Sequence, residues 1–304
     1  MSASLLRRDD LVRFAAVPSS HWPGGMMMNA REFLSNVGVI VAVMAAASLL
    51  ETIVPMFAAH DRPRGRRTAN LALTAIVFLL NWLLTSVVAI AAVAFSARPT
   101  TLMARLSLPV VVQVAVGIVL VDFSTSYLAH LLMHRSATLW RFHRIHHSDE
   151  FVDATTTFRT HPVESVWRFL FAIVPVWLVG IPASAVVIQR LLQATNGVLQ
   201  HANVRVWRPV ERLLSRVWVT PDVHKIHHSC EVAETNSNYG NVLTLYDRVF
   251  GTFTSSERAA SVTYGLKDVD SRQASSFGGL LAMPFRARSR QPYTKVSFDR
   301  EHAR

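Results

Sequence analysis

Two stretches of this chain, His143-Arg-Ile-His146-His147 and His224-Lys-Ile-His227-His228, carry the same His-x-x-His-His spacing about eighty residues apart. With 13 His in 304 residues, chance supplies roughly 0.02 copies of that pattern along the whole length. A further pair, His130 and His134, stands four residues apart. On a helix, positions i, i+3 and i+4 lie close to one face, so each cluster can aim several imidazoles at one point. Neutral imidazole is the commonest metal ligand among side chains. Cys230 is the single Cys, which excludes thiolate clusters and an intrachain disulfide framework. Two, three and three imidazoles exceed the four ligands of a closed zinc site. They suffice for two adjacent metals, each with an open position. Nitrogen ligation alone suits Fe, Zn, Cu or Ni and does not choose among them. The fold must therefore bring three distant segments together.

What surrounds these clusters is apolar. The chain is 51% hydrophobic and 17% charged, a balance that belongs to membrane proteins. Residues 1–32 read as a mixed lead-in without a signal-peptide pattern. Phe33 to about Ala59 and Thr68 to Ala97 are each long enough to span a bilayer. Glu51 lies in the first, where an acid is tolerated near an end or against another helix. A third span starts at Leu108 and runs on through Asp122, Tyr127, His130 and His134. The net charge is +11, and basic groups beside apolar spans suit anionic lipid headgroups. No basic module interleaved with aromatics is present, so nucleic acid is not an expected partner.

Asp122 to Asp149, DFSTSYLAHLLMHRSATLWRFHRIHHSD, resembles the first histidine boxes of the fatty acid hydroxylase / sterol desaturase superfamily. Thr220 to Phe253, TPDVHKIHHSCEVAETNSNYGNVLTLYDRVFGTF, resembles its last box and tail. The likeness runs from near Ile118 to Phe253. It departs at Leu131, where many members carry Arg, and at Tyr246, where Trp is frequent. The resemblance implies an integral membrane enzyme with two non-haem irons, which uses dioxygen and two electrons to hydroxylate or desaturate a lipid. Zinc is able to replace iron on purification. It also implies histidines at His161, in Arg159-Thr-His161-Pro162-Val-Glu164, and at His201. The ligand set then comprises His130, His134, His143, His146, His147, His161, His201, His224, His227 and His228, five for each ion. Asp122, Asp149, Glu164 and Asp247 are candidates to accept the second ring N–H of these imidazoles. Asp222, after Thr220-Pro221, reads as a helix N-cap. Asn196 is a candidate polar contact. Arg159 and Lys225 are candidates to meet a lipid headgroup or an electron donor.

The topology follows from charge and from the need to unite the boxes. The Arg-rich loop 61–67 is expected on the cytoplasmic side, and the third span returns the chain there. If Val166 to Leu199 crossed the membrane once, the last box would lie on the opposite face from the first. A re-entrant hairpin turning at Gly180-Ile-Pro182 avoids this. The expected fold is all-α. It has lead-in 1–32, spans 1 and 2 and the start of span 3 over 33–117, a catalytic region 118–253 with a cytosolic histidine-rich cap, and a basic tail 254–304. The basic tail is expected either to lie on anionic lipid or to be disordered over its last fifteen or so residues.

The expected function is oxygen-dependent oxidation of a fatty acyl or sterol-like lipid in a bacterial inner membrane, or in the endoplasmic reticulum of a eukaryote. The chain has no haem-binding module or dinucleotide fingerprint, so electrons must come from a ferredoxin or a cytochrome b5-like donor with its reductase. Oxidation of an ether lipid, aldehyde or carotenoid by the same centre is the nearest alternative. A non-catalytic metal transporter or sensor is the alternative from another class. Its ligands would sit at mid-membrane depth, whereas these cluster at and beyond the end of a span.

Overall fold

The computed structural model describes residues 30–58, 63–96 and 98–286. The expected lead-in, and the disorder expected of the last residues, lie outside that range. The described residues fold almost wholly into helices, with isolated bridges at Pro55–Val204 and Trp218–Leu243 in place of a sheet.

Helix α1, Ala30–Ile53, and α2, Arg66–Ser96, are apolar along their length. A short helix α3, Leu102–Leu106, is capped by the Thr101 hydroxyl. The third long segment begins as α4, Val110–Asp122, passes through a π-helical stretch at Phe123–Leu128, and ends as α5, Ala129–Arg135. Such a wider turn inside an α-helix is rare and recurs near functional sites. The stretch leads directly into the turn bearing His130. Four described helices are long and apolar enough to cross a bilayer: Phe33–Ile53, Arg66–Phe95, Val110–Arg135 and Pro162–Val179. At 1.5 Å per residue, α1 alone reaches about 36 Å, beyond the roughly 30 Å hydrocarbon core.

The expected hairpin is built by α7, Pro162–Val179, and α8, Ala183–His201, which follow α6, Ala137–His147. Its tip turns on Gly180, whose φ of 78° lies in the left-handed region. A side chain there is excluded twice over, because a Cβ would fall 2.6 Å from Thr101. Helix α7 lies along α2, and α8 packs against α1, α2 and α4. Their shared core includes Val88, Ala92, Val121, Val176, Ile181 and Ala185. The hairpin enters and leaves at the histidine-rich end, because His161 precedes α7 and His201 ends α8.

Beyond the hairpin, α9, Arg208–Leu214, leads into α10, Pro221–His227, which carries the second box. Thr220, not Asp222, caps α10: its hydroxyl accepts from Val223 N, and Asp222 is the second residue of the helix. Helices α11, Val232–Thr235, and α12, Leu245–Val249, close the cap. The segment after Phe253 is not simply a basic surface tail. Helices α13, Ser271–Ala274, and α14, Phe277–Arg286, fold back, with Leu280 and Met283 buried against Ala69, Leu73 and Ile145.

Candidate metal centre

Helix α6 exposes His143, His146 and His147 on its inner side, and α10 does the same with His224, His227 and His228. His130 and His134 arrive from α5, and His201 from the last turn of α8. Nine imidazoles meet, all buried. Their ring nitrogens fall into two sets, each mutually within 4.8 Å: His130, His134, His143, His147 and His227, and His146, His201, His224 and His228. The sets adjoin, since the rings of His147 and His228 stack at 4.7 Å.

Hydrogen bonds fix which nitrogens face inward. His130 Nδ1 donates to Tyr239 O (2.7 Å), His201 Nδ1 to Gly197 O (2.6 Å) and His227 Nδ1 to Ser237 O (2.7 Å). His143 Nδ1 donates to Glu164 Oε2 (2.9 Å). Carbonyl and carboxylate oxygens only accept, so in each case the proton sits on Nδ1 and Nε2 presents a lone pair. The Nε2 atoms of facing rings lie close together. His130 Nε2 is 2.9 Å from His143 Nε2, and His201 Nε2 is 3.0 Å from the Nε2 atoms of both His146 and His224. Where neither nitrogen of such a pair carries a proton, the two lone pairs repel. A cation between them converts that repulsion into ligation, so the donor set fits a pair of metal ions.

Burial and the neighbouring imidazoles push the affinities of His146, His147, His224 and His228 for a proton well below the ordinary histidine value. Burial brings His227 down to about 3. These rings are neutral at physiological pH, the state a metal requires.

His161 stands apart from both sets. It is the N-cap of α7, its Nδ1 accepting from Val163 N at 3.2 Å, and its ring packs 5.1 Å from that of Phe142. Among the four acids expected beside the ligands, Glu164 alone touches an imidazole, and it also holds Arg168 at 3.0 Å. Asp247 acts at one remove. It accepts from the amides of Tyr239 and Gly240 at 2.8 Å and so fixes the carbonyl that holds His130. Gly240 permits that approach, since a Cβ there would lie 2.5 Å from Leu243 O. Asp149 instead binds Arg66 (2.5 Å), Asn70 and Thr156, and Asp122 binds Ser126 and Gln189.

Arg159 and Lys225 are not free to meet a headgroup or a donor protein. Both are fully buried. Arg159 donates to Ile145 O, Asn70, Ser148 and Ala274 O, and Lys225 to Ala202 O. They clamp the loops behind the two boxes. Asn196 likewise bridges Val219 O and Trp218 Nε1 and does not reach an imidazole. Arg66, outside the sequence argument, and Glu51, expected near a span end or against another helix, also belong to this scaffold. Arg66 binds Asp149 and Asp153 and so ties α2 to the loop after α6. Glu51 accepts from the amides of Ala154 and Asn203.

From the imidazoles a cleft runs between α1, α2 and α8. His130, His146, His201 and His224 line it together with apolar residues such as Phe33 and Phe78. The centre is thus sealed from water by the cap and continuous with the apolar helices.

Comparison with known proteins agrees with this arrangement. Residues 114–252 match the fatty acid hydroxylase family model. The ornithine lipid hydroxylase OlsE of Rhizobium tropici is 33% identical over 184 residues, 60% of this chain and 53% of that protein. The alkylglycerol monooxygenase of Caenorhabditis elegans is 27% identical over 141 residues, 46% of this chain and 27% of that protein. The human alkylglycerol monooxygenase is 29% identical over 147 residues, 48% and 31% of the two chains. The chain thus spans about half or less of the length of the curated relatives it matches. No solved structure matches it. The matched segment contains all nine converging histidines, the hairpin and the π-helical stretch, so over these residues the chain is similar to the fatty acid hydroxylase family.

Proposed function

We propose that this protein is a di-iron, dioxygen-dependent oxidoreductase that hydroxylates a membrane lipid. The observation that carries this reading is the pair of adjoining, buried imidazole sets, four of whose rings line a cleft shared with the apolar helices. When bound, two irons supply the activation of dioxygen and the oxidising power to break an unactivated C–H bond. The balance requires two electrons and two protons, with one oxygen entering the new C–OH and the other leaving as water. The nine histidines would hold the irons. Glu164 and the carbonyls of Gly197, Ser237 and Tyr239 keep four of those rings in the tautomer that presents Nε2. The cap excludes water, and the cleft admits an alkyl chain sideways from the bilayer. No protein nucleophile is required.

Hydroxylation is favoured over desaturation because the relatives named above are a hydroxylase and monooxygenases. The alkylglycerol monooxygenases support a second reading within the same chemistry, oxidation beside an ether oxygen. Electrons would come from a ferredoxin or cytochrome b5-like donor on the cytoplasmic side, where the positive-inside rule puts the loop at Arg64.

Metal analysis and lipid profiling test the reading together. The purified protein should carry two metals per chain, and cells with and without the gene should differ by a lipid and its product one oxygen heavier. A well-folded preparation that plateaus at one metal would sink the di-metal centre. Unchanged lipids would sink the activity. Cysteines placed at Arg64 and Ser255 in a Cys230→Ser background should both label from the cytoplasm, and labelling from opposite sides would overturn the hairpin topology.

A further inference from the structure

The cleft contains a cation that the metal centre does not use. Arg190 lies midway along α8, on the face that lines the cleft, eleven residues before His201. That separation is about 16 Å of helix. Its guanidinium donates to Gln193 Oε1 at 3.0 Å and to Asn81 Oδ1 at 3.4 Å, both neutral. No described carboxylate pairs with it, and Glu164, the acid that lines the same cleft, is engaged by Arg168 and His143. Arg66 holds Asp149 and Asp153, Arg144 holds Asp268 and Arg168 holds Glu164, whereas Arg159, also without a carboxylate in hydrogen-bond contact, is met by four neutral acceptors, two more than Arg190.

An uncompensated charge away from water is expensive, and in a membrane protein it marks a ligand or ion path by default. The surrounding hydrogen-bond inventory has the same bias. Two of the five Arg190 N–H groups are engaged, which leaves three donors. The adjacent Trp82 lines the same cleft, and its buried Nε1 has no acceptor. Gln193 has already spent its amide on Ser126. Around Arg190 the cleft therefore offers unmatched donors and positive charge. A simple helix tether would need only the amide of Asn81.

Resting on the lipid-oxidation reading, we infer that Arg190, with Asn81, docks an acidic oxygen group of the substrate, a carboxylate or a phosphate. The substrate is then an anionic amphiphile whose oxidised carbon lies about 16 Å of helix away from that group. Arg190 is a specificity-determining residue, and the apolar walls at Phe33 and Phe78 hold the chain between the two ends.

The test is equilibrium binding of dodecanoate, dodecyl phosphate and uncharged dodecanol to the full chain in an uncharged detergent, with metal content read on the same samples. The two anions should bind more tightly than dodecanol, and the tighter of them distinguishes a fatty carboxylate from a phosphate headgroup. Arg190→Gln keeps hydrogen-bonding capacity and removes the charge. It should weaken the anions about tenfold or more, leave dodecanol unchanged, and retain both metals. Asn81→Asp gives Arg190 an internal carboxylate and should exclude the anions equally, so it decides the matter should Arg190→Gln fail to fold. Equal binding of all three probes, or undiminished anion binding in both variants, overturns the inference while leaving the oxygenase reading intact. Charge-dependent binding in a protein that loads two metals yet oxidises no lipid upholds the site and overturns the oxygenase reading.

Discussion

The two His-x-x-His-His copies have one spacing and opposite assignments. In the copy on α6, His143 and His147 join the set of five and His146 joins the set of four. In the copy on α10, His224 and His228 join the set of four and His227 joins the set of five. Positions i and i+4 point almost alike, while i+3 falls to the other side of them. Two helices that face each other thus exchange their middle members. Each copy contributes to both sets, and neither set is complete until both copies have docked. The copies differ in what stands behind them. His143 leans on a carboxylate and His227 on a backbone carbonyl. Within the set of five, three rings are held through Nδ1. Within the set of four, only His201 is. The set of five is the more preorganised, and the set of four leans on its neighbours.

The exchange makes its strongest prediction for the middle members. His146→Ala removes a member of the set of four, and His227→Ala a member of the set of five. Each leaves a void between rings whose partners come from the other helix. Activity should fall to background in both, and metal content with it. A His146→Ala protein that turns over its true substrate at the original rate would end the di-iron reading. Single-metal loss in each variant, at opposite sites, would show that the sets are independent despite their shared helices.

The carboxylate offers a graded test. Glu164→Gln keeps the shape but removes the charge that strengthens His143 as a donor and holds Arg168. Loss of such a supporting acceptor typically costs 10–100-fold in metal affinity. Chelator competition should release one metal about that much more readily and leave the second near its original affinity. Parallel release of both would show that the difference in anchoring between the sets carries no energetic weight.

Acidity tests both sets together once metal has been removed. His227 has a folded value of about 3, below its unfolded value of about 6.5. Between these values the unfolded chain binds a proton that the folded chain refuses. Its contribution to stability is therefore present above pH 6.5 and is lost as pH falls from there toward 3. Each such group adds up to about 1.4 kcal/mol per pH unit in that window. The depressed affinities of His146, His147, His224 and His228 have the same sign. The metal-free protein should thus melt at progressively lower temperature below pH 6.5, and the loaded protein should resist until protons displace the metal. A melting temperature flat from pH 7 to 5 in the metal-free form would contradict neutral, desolvated rings.

The sequence carried the boxes, the spans and the hairpin because each is a local pattern: imidazole spacing, apolar length, and a Gly-Ile-Pro interruption. Glu164 was legible for a similar reason, since Pro162 starts a helix and puts its first-turn acid beside the boxes. Polar scaffolding was not legible. Arg66 reads as one more Arg in a basic loop, yet it is buried against Asp149 and Asp153, and both acids are thereby taken from the histidines. Arg159 and Lys225 read as exposed cations because burial normally excludes them. Here main-chain carbonyls absorb their protons. The carbonyls of Gly197, Ser237 and Tyr239 have no signature at all, since every residue has one. The fold-back at 271–286 was hidden by polar composition, which masked the buried pair Leu280 and Met283.

His161 yields the smallest expected effect and the sharpest separation between imidazoles that converge and those that do not. It precedes Pro162 at the start of α7, and its Nδ1 accepts from Val163 N. That is the role of an N-cap, in which a side-chain acceptor satisfies one of the first free amides of a helix. Its ring sits between Phe142 and Phe285, outside both sets. His161→Ala should therefore destabilise the protein by about 0.5–2 kcal/mol, the usual cost of losing a cap, and leave both metals bound. His161→Asn, which restores a capping acceptor but offers no imidazole, should recover most of that loss. Thermal melting and metal analysis of the two variants give the answer. A metal deficit in His161→Asn would move His161 into the set of four and raise the converging rings to ten, five for each ion.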